Sequence, residues 1–362
     1  MTSAPPQFDA THRLLVLAPH PDDETIAAGI LIQSAIASGA DVRVVFVTDG
    51  DNNPWPQRWL ERRWRIGPAD RERWGGRRRR ETLAALAVLG VEEASARFLG
   101  WPDQGLTDCL MRGGEAETAL AGEIAAFAPT HVVLPTLTDR HPDHSALSVL
   151  VDLVLMRNGP ACERLGYVLH GPPPAAATIP QCSDPGLQQR KQQALLSYAT
   201  QVSLSRGRLL RLAGRPESFE RIENARGVRP ADSDDLVLHL PLPPLPGRAH
   251  LHSLLVVLAG QMSTVRGCIR LPPLRKMRHA TTLAMRGMDG SAARIECSAT
   301  ALRVTIPGAA AGLLRGYVKL ERDWPRLLIF DAAGWRDVDD CLAPDNVVLP
   351  DRDRHLAARA VT

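Results

Sequence analysis

The chain has 362 residues, 44% of them hydrophobic and 23% charged, and Lys+Arg 43 against Asp+Glu 40 leave a formal net charge of +3. That composition excludes a disordered chain, and that charge is too small to imply nucleic-acid binding by itself. A chain this long buries about three quarters of its unfolded surface and folds without staples, and at about 150 residues per domain it points to two domains.

Strand and helix signals alternate along the first half. Residues 13–18 (RLLVLA) form a short apolar run ending at Pro19, which suits a buried strand. A helix follows over 23–38, then a strand over 42–47 (VRVVFV). The spacing predicts a helix over 78–89, closed by Gly90 as a stop signal, and a short strand over 97–99. Next come a helix over 115–127, a strand over 131–135, a helix over 143–156, a strand over 166–170 and a last helix over 186–198. This alternation argues for an α/β fold, a mostly parallel sheet flanked by helices. Past about residue 228 the pattern becomes all-β. Short strands are expected over 236–240, 253–258, 268–271, 281–285, 293–306, 316–320 and 327–330, punctuated by Gly and Pro, as in a sandwich or partly open barrel. The expected division is a catalytic domain at 1–229 and a smaller all-β accessory domain at 230–362, with the boundary near Arg229-Pro230-Ala231-Asp232.

The six cysteines are scattered, with no CxxC pair, and read as free thiols of a reducing compartment. Residues 1–13 lack a basic stretch followed by an apolar one, and no apolar run approaches the roughly 18 residues a membrane span needs. The expectation is a cytoplasmic protein without a transmembrane segment.

Two motifs carry chemistry. Pro19-His20-Pro21-Asp22-Asp23-Glu24 follows the first strand and opens the first helix. Acidic residues suit a helix start, but that leaves His20 unexplained, and three crowded carboxylates repel unless a cation sits among them. His141-Pro142-Asp143-His144 likewise follows the 131–135 strand and opens a helix. In open α/β sheets ligands bind at the carboxyl ends of strands. Two imidazoles and a carboxylate make a hydrolytic zinc site with open coordination. The i, i+3 spacing lets His20 and Asp23 face one metal with His144, while Asp22 points towards a water as general base. His141 is then placed to bind the developing oxyanion or to protonate the leaving group.

These residues resemble a known family. The first motif matches the AHPDDE signature of the PIG-L-type (LmbE-like) zinc N-deacetylases, with Pro19 in place of the usual Ala, and the second matches their HPDH signature. Arg78-Arg79-Arg80-Glu81 running on to Leu89-Gly90-Val91 is similar to the family's R-x-x-E…LGV helix. Phe98-Leu99-Gly100-Trp101-Pro102-Asp103 is similar to its FLG-x-PD turn, and Lys191…Tyr198…Gln201 to its late K…Y…Q stretch. The resemblance covers roughly residues 12–205. It implies a Rossmann-like fold and removal of an N-acetyl group from an N-acetylglucosamine-type conjugate, nucleotide-, lipid- or glycoside-linked. It implies Zn2+, with Fe2+ as the alternative metal, on His20, Asp23 and His144, Asp22 as base, His141 stabilising the tetrahedral intermediate, and Arg78 and Asp103 as substrate contacts. The Lys191 stretch is expected to pack a helix.

Residues 58–80 hold ten Arg against Glu61, Asp70 and Glu72, and Trp55, Trp59, Trp64 and Trp74 are interleaved with them. One reading is a solvated basic helix with Trp as packing anchors. The other is a flap in which Arg pairs with phosphate and Trp stacks on a sugar or meets a lipid. The expected partner is an amino-sugar small molecule or lipid-linked substrate, with no nucleic acid, since no nucleic-acid fold signature accompanies the basic segment. The sequence sets no oligomeric state and leaves self-association open. Two other functions fit parts of the pattern: a non-haem iron oxygenase, which uses the same donor set, and a catalytically silent sugar-binding protein, which would have no need of Asp22.

Overall fold

The first strand, β1 (Arg13–Ala18), is fully buried from Leu14 onward, as a central strand covered by helices on both faces must be. The computed structural model describes residues 6–172, 179–180, 184–223, 234–242, 251–277, 279–288, 290–322, 330–331 and 334–342. The chain divides into two compact units, Met1–Glu223 and Asn224–Thr362. The expected boundary at Arg229 lies outside the described residues.

In the first unit, β1 is followed by α1 (Asp23–Ala37), β2 (Asp41–Thr48), α2 (Pro54–Glu61), α3 (Pro68–Leu89), β3 (Ala96–Trp101), α4 (Leu106–Arg112), α5 (Glu115–Phe127), β4 (His131–Pro135), α6 (Pro142–Asn158), β5 (Glu163–Tyr167), β6 (Ile179–Pro180), α7 (Pro185–Leu196), α8 (Ala199–Ala213) and β7 (Ser218–Arg221). The strands make one sheet in the order β3-β2-β1-β4-β5-β7-β6. The β1 to β5 pairings are parallel, and β7 pairs antiparallel with both β5 and β6. The order reverses between β1 and β4, and such a switch point opens a crevice at the carboxyl ends of the strands. Both His-Pro-Asp motifs lie there.

The expected mostly parallel sheet is present, with several differences of detail. The helix expected over 78–89 begins ten residues earlier, at Pro68, where Gly67 N–H donates to Asp70 Oδ2 at 3.0 Å. The strand expected over 166–170 is β5, three residues upstream, which frees His170 to lie beyond the strand end. The 186–198 helix is not the last, because α8 follows it. Serine and glycine dilute the apolar pattern of α8, and Ser205 interrupts its helical backbone.

In the second unit, β8 (Leu236–Pro241), β9 (Leu251–Gly260), β10 (Thr264–Arg270), β11 (Thr281–Arg286), β12 (Ala292–Cys297), β13 (Ala301–Ile306), β14 (Leu313–Arg322) and β15 (Arg336–Asp337) form one antiparallel sheet in the order β15-β14-β9-β10-β11-β12-β13-β8. A bridge between Leu238 and Leu342 links β8 to the segment just after β15. The sheet thus curls around Leu238, Val256, Ile295, Val304 and Val318, a partly open barrel rather than a sandwich. The run 293–306 is two strands, because Ser298 Oγ accepts from Thr300 N–H and Ala301 N–H and turns the chain between them. Of the strand expected over 327–330, residues 327–329 lie outside the described residues, and so does Cys182. The other five cysteines are free thiols, Cys109 and Cys341 buried and Cys162, Cys268 and Cys297 half-buried.

Candidate active site

The turn after β1 holds Asp22 at φ 100°, a left-handed conformation that non-glycine residues enter rarely, at the start of α1. Such strain persists only where the surroundings over-determine it, and it clusters at functional sites. Here the surroundings are Glu24 and Arg78. Glu24 is fully buried, its Oε2 accepts from Asp22 N–H at 3.2 Å, and its Oε1 accepts from Tyr198 Oη at 2.5 Å and from Thr25 Oγ1. Arg78 donates to the carbonyls of Gly50 and Pro21, both at 2.6 Å, and lies 3.7 Å from Asp22 Oδ2. A Cβ on Gly50 would fall 1.7 Å from Arg78 Nη1, so only glycine lets the guanidinium in. Of the Arg77–Arg80 run, Arg77 pairs with Glu81, Arg79 grips Asp49 with two bonds of 2.7 Å, Arg80 is exposed, and Arg78 turns into the site.

Asp23 is the focus. Its Oδ2 accepts from His20 N–H at 2.9 Å and lies 3.2 Å from both His20 Nδ1 and His144 Nε2. The opposite nitrogen of each ring faces another carboxylate. His20 Nε2 is 3.1 Å from Asp143 Oδ2 and 3.3 Å from Asp103 Oδ1, and His144 Nδ1 is 3.2 Å from Asp139 Oδ2. An imidazole with one nitrogen towards a shared centre and the other on a carboxylate is the arrangement of metal-ligating histidines. His144 carries the strongest sign. It is fully buried, yet neither ring nitrogen has a partner in hydrogen-bond geometry. Burial disfavours its charged form, but Asp23 and Asp139 overcome this and push the ring up to about 9. The same two carboxylates would attract a metal cation. The donor chemistry therefore fits a metal cation, and the groups whose ligand atoms lie within 4.8 Å of one another are His20 with His141 and His144, Asp23 with His144 and His170, and His20 with Asp103 and Asp143.

The predicted residues thus converge. Asp22 is buried beside Asp23, and burial pushes its carboxyl up to about 7, with Arg78 opposing the rise. His141 packs its ring 4.6 Å from that of His20 and 4.9 Å from that of His144, and burial and those neighbours hold it well below the usual imidazole range. Its Nδ1 accepts from Asp143 N–H at 3.3 Å, so the neutral ring carries its proton on Nε2. Asp103 lies in the site, and besides facing His20 its Oδ2 accepts from Asn52 N–H at 2.7 Å. Lys191 packs away from the site, fully buried, with Nζ 2.7 Å from Glu217 Oε1.

Three residues escaped the sequence reading of the site. Asp143 was visible in the second motif without a role, and it accepts from Gln104 N–H at 2.7 Å and Leu106 N–H at 3.0 Å while facing His20. Asp139 accepts from His141, Leu169 and His170 N–H, tying the β4 loop to the β5 loop. His170 packs edge-on 4.9 Å from His144 and tilted 5.5 Å from His141, and so joins the cluster. In the sequence His170 was the last residue of the strand expected over 166–170, and nothing there marked it as part of a site; only the upstream shift of β5 puts it at the strand end.

Residues 15–155, which contain both motifs, match the family model of PIG-L, GlcNAc-PI de-N-acetylase, and so carry a domain of the PIG-L type, as the two signatures implied. A 1D-myo-inositol 2-acetamido-2-deoxy-alpha-D-glucopyranoside deacetylase of Mycobacterium sp. (strain KMS) is 35% identical over 157 residues, 39% of this chain and 49% of the relative. The protein of the same description from Mycobacterium avium (strain 104) is 37% identical over 151 residues, 37% of this chain and 48% of the relative. The chain thus spans about half the length of the curated relatives it matches. A solved N,N'-diacetylchitobiose deacetylase from Pyrococcus horikoshii, in complex with an inhibitor, is similar at 18% identity and TM-score 0.47, over 59% of this chain and 84% of that one. No helix among the described residues is long and apolar enough to cross a membrane.

Proposed function

We propose that the first unit is a metal-dependent N-deacetylase, hydrolysing the acetamide of an N-acetylglucosamine-type conjugate to acetate and a free amino sugar. The observation that carries the reading is the focus of His20 and His144 on one oxygen of Asp23, with Asp22 held in a strained turn beside it. A divalent metal on His20, Asp23 and His144, zinc in this reading, supplies Lewis acidity at the carbonyl. Asp22 takes a proton from the attacking water, and its elevated carboxyl is matched to that task near neutral pH. His141 presents Nε2–H to the oxygen on which negative charge develops. As the C–N bond breaks, the proton taken by Asp22 passes to the leaving nitrogen, so amine and acetate are released. Arg78 acts through Asp22, whose carboxylate it keeps ionised, and its two carbonyl bonds make it a brace of the strand-end loops.

The mycobacterial relatives are described as deacetylases of an inositol glycoside of N-acetylglucosamine, which makes glycosides of this sugar the first substrates to test. The experiment is an acetate-release screen over N-acetylglucosamine as free sugar, nucleotide-linked, lipid-diphosphate-linked and glycoside, before and after metal removal. Acetate release that chelation abolishes and zinc restores supports the reading. No release from any of the four with zinc bound, or release indifferent to chelation, refutes it.

A further inference from the structure

The basic, Trp-rich segment supplies no residue to the site chemistry above except Arg78. Trp74 is fully buried and is the packing anchor of α3, whereas Trp55, Trp59 and Trp64 are 53%, 68% and 83% exposed. With Leu60 and Leu204 they make five of the eight large hydrophobic side chains exposed among the described residues, all in one place. These five line a groove of about 670 Å³ together with Arg58, Arg62 and Arg63. Exposed apolar clusters rimmed by charge mark interaction surfaces.

We propose that residues 55–65 dock this protein on an anionic lipid bilayer. Indoles favour the headgroup layer, with the ring body in the apolar boundary and the N–H towards water, and arginines beside them attract anionic headgroups. The charge is suited to this. Arg63 pairs with Asp70, and Arg73 with Glu61 and Asp70, which leaves the exposed Arg62 and Arg65 without a carboxylate among the described residues. A two-fold contact with a second copy would bring this basic patch against the same basic patch. A small ligand would be enclosed by its site, whereas Trp59 and Trp64 stand out from the groove as the most exposed of the three indoles. The proposal is independent of the hydrolytic reading, since the readout is binding.

The test uses the full chain with vesicles of phosphatidylcholine alone and of phosphatidylcholine mixed with phosphatidylglycerol, read by co-sedimentation and Trp emission. Anionic vesicles should bind at least about tenfold more strongly than neutral ones, with a blue-shifted emission, and added salt should weaken the binding. Arg62→Gln and Arg65→Gln should each lower partitioning by about fivefold, and Trp59→Ala with Trp64→Ala should remove the binding and the shift. All four side chains are exposed, and circular dichroism checks that the variants keep the fold. Equal binding to both vesicles, or variants that bind like the parent, would overturn the proposal. So would a dimer that becomes a monomer on Trp59→Ala with Trp64→Ala, or capture by a single-stranded oligonucleotide with vesicles left unbound, each of which assigns the face to a different occupant.

Discussion

Replacing Asp22 by Asn separates proton transfer from metal retention and from folding. Asn is the substitution of choice because, like Asp, it tolerates the left-handed backbone that Asp22 adopts at φ 100°, whereas Ala would add about 1–2 kcal/mol of strain. The amide keeps the side-chain shape, and Arg78 keeps its bonds to Gly50 and Pro21, so folding stability should fall by no more than about 1–2 kcal/mol. The convergence on Asp23 Oδ2 does not involve Asp22, so bound metal should stay near the parent level. What disappears is the proton acceptor. General-base catalysis is worth about 10²–10⁴ in rate, and a carboxyl pushed up to about 7 is close to the optimum for a neutral-pH base. A loss of about 10³ in kcat is expected, roughly 4 kcal/mol of transition-state stabilisation. The assay is acetate release from the best N-acetylglucosamine conjugate, with metal measured by plasma emission on the same sample. Asp23→Asn is the contrast, expected to lose metal and activity together. An Asp22→Asn protein purified without metal, or one with metal that works within tenfold of the parent, would refute the assignment.

Three further outcomes follow from the same contacts. His141→Ala should lower kcat by about 10²-fold with KM and metal content little changed, the scale of losing one oxyanion donor; a metal-free variant would mean that the two histidines of the second motif exchange roles. Arg78→Met should move the acid limb of the kcat/KM profile to higher pH. The guanidinium lowers the Asp22 pKa, so without it the carboxyl stays protonated to higher pH, and an unmoved limb would show that Arg78 does not act through Asp22. Lys191→Met should destabilise the first unit by about 3–5 kcal/mol, because it leaves Glu217 buried without its cation, and a thermal midpoint close to the parent's would contradict that.

The alternation of short buried strands with helices was legible because parallel strands are nearly continuous apolar runs. The spans 115–127 and 131–135 coincide with α5 and β4. The reading failed where local signals conflict. In α8, Ser203, Ser205 and Gly207 weaken helix propensity, and what holds the helix is packing of Leu209, Leu210 and Leu212 against the core of the unit, a tertiary term. The strand β7 is four residues, Ser-Phe-Glu-Arg, with only Phe219 buried, too short for a period to register. The turn between β12 and β13 has no Gly or Pro, and a serine side chain does the work instead.

The site shows the same division between what is adjacent and what is assembled. Each His-Pro-Asp motif reads alone as a strand end, a proline that starts a helix and a carboxylate in its first turn. Neither reveals that the two interlock. His20, from the first motif, lies between its own Asp23 and the second motif's Asp143, and His144, from the second, lies between Asp23 and Asp139. Asp143 also holds the backbone of Gln104 and Leu106, and Asp139 holds that of Leu169 and His170. Each ring is therefore oriented by a carboxylate that is itself anchored to a loop from a third element. That supports why single residues such as Asp139 and His170 carried no sequence signal. Their significance lies in bringing β4 and β5 to one point at the switch of the sheet, and a switch point is a property of strand order, which exists only once the chain has folded.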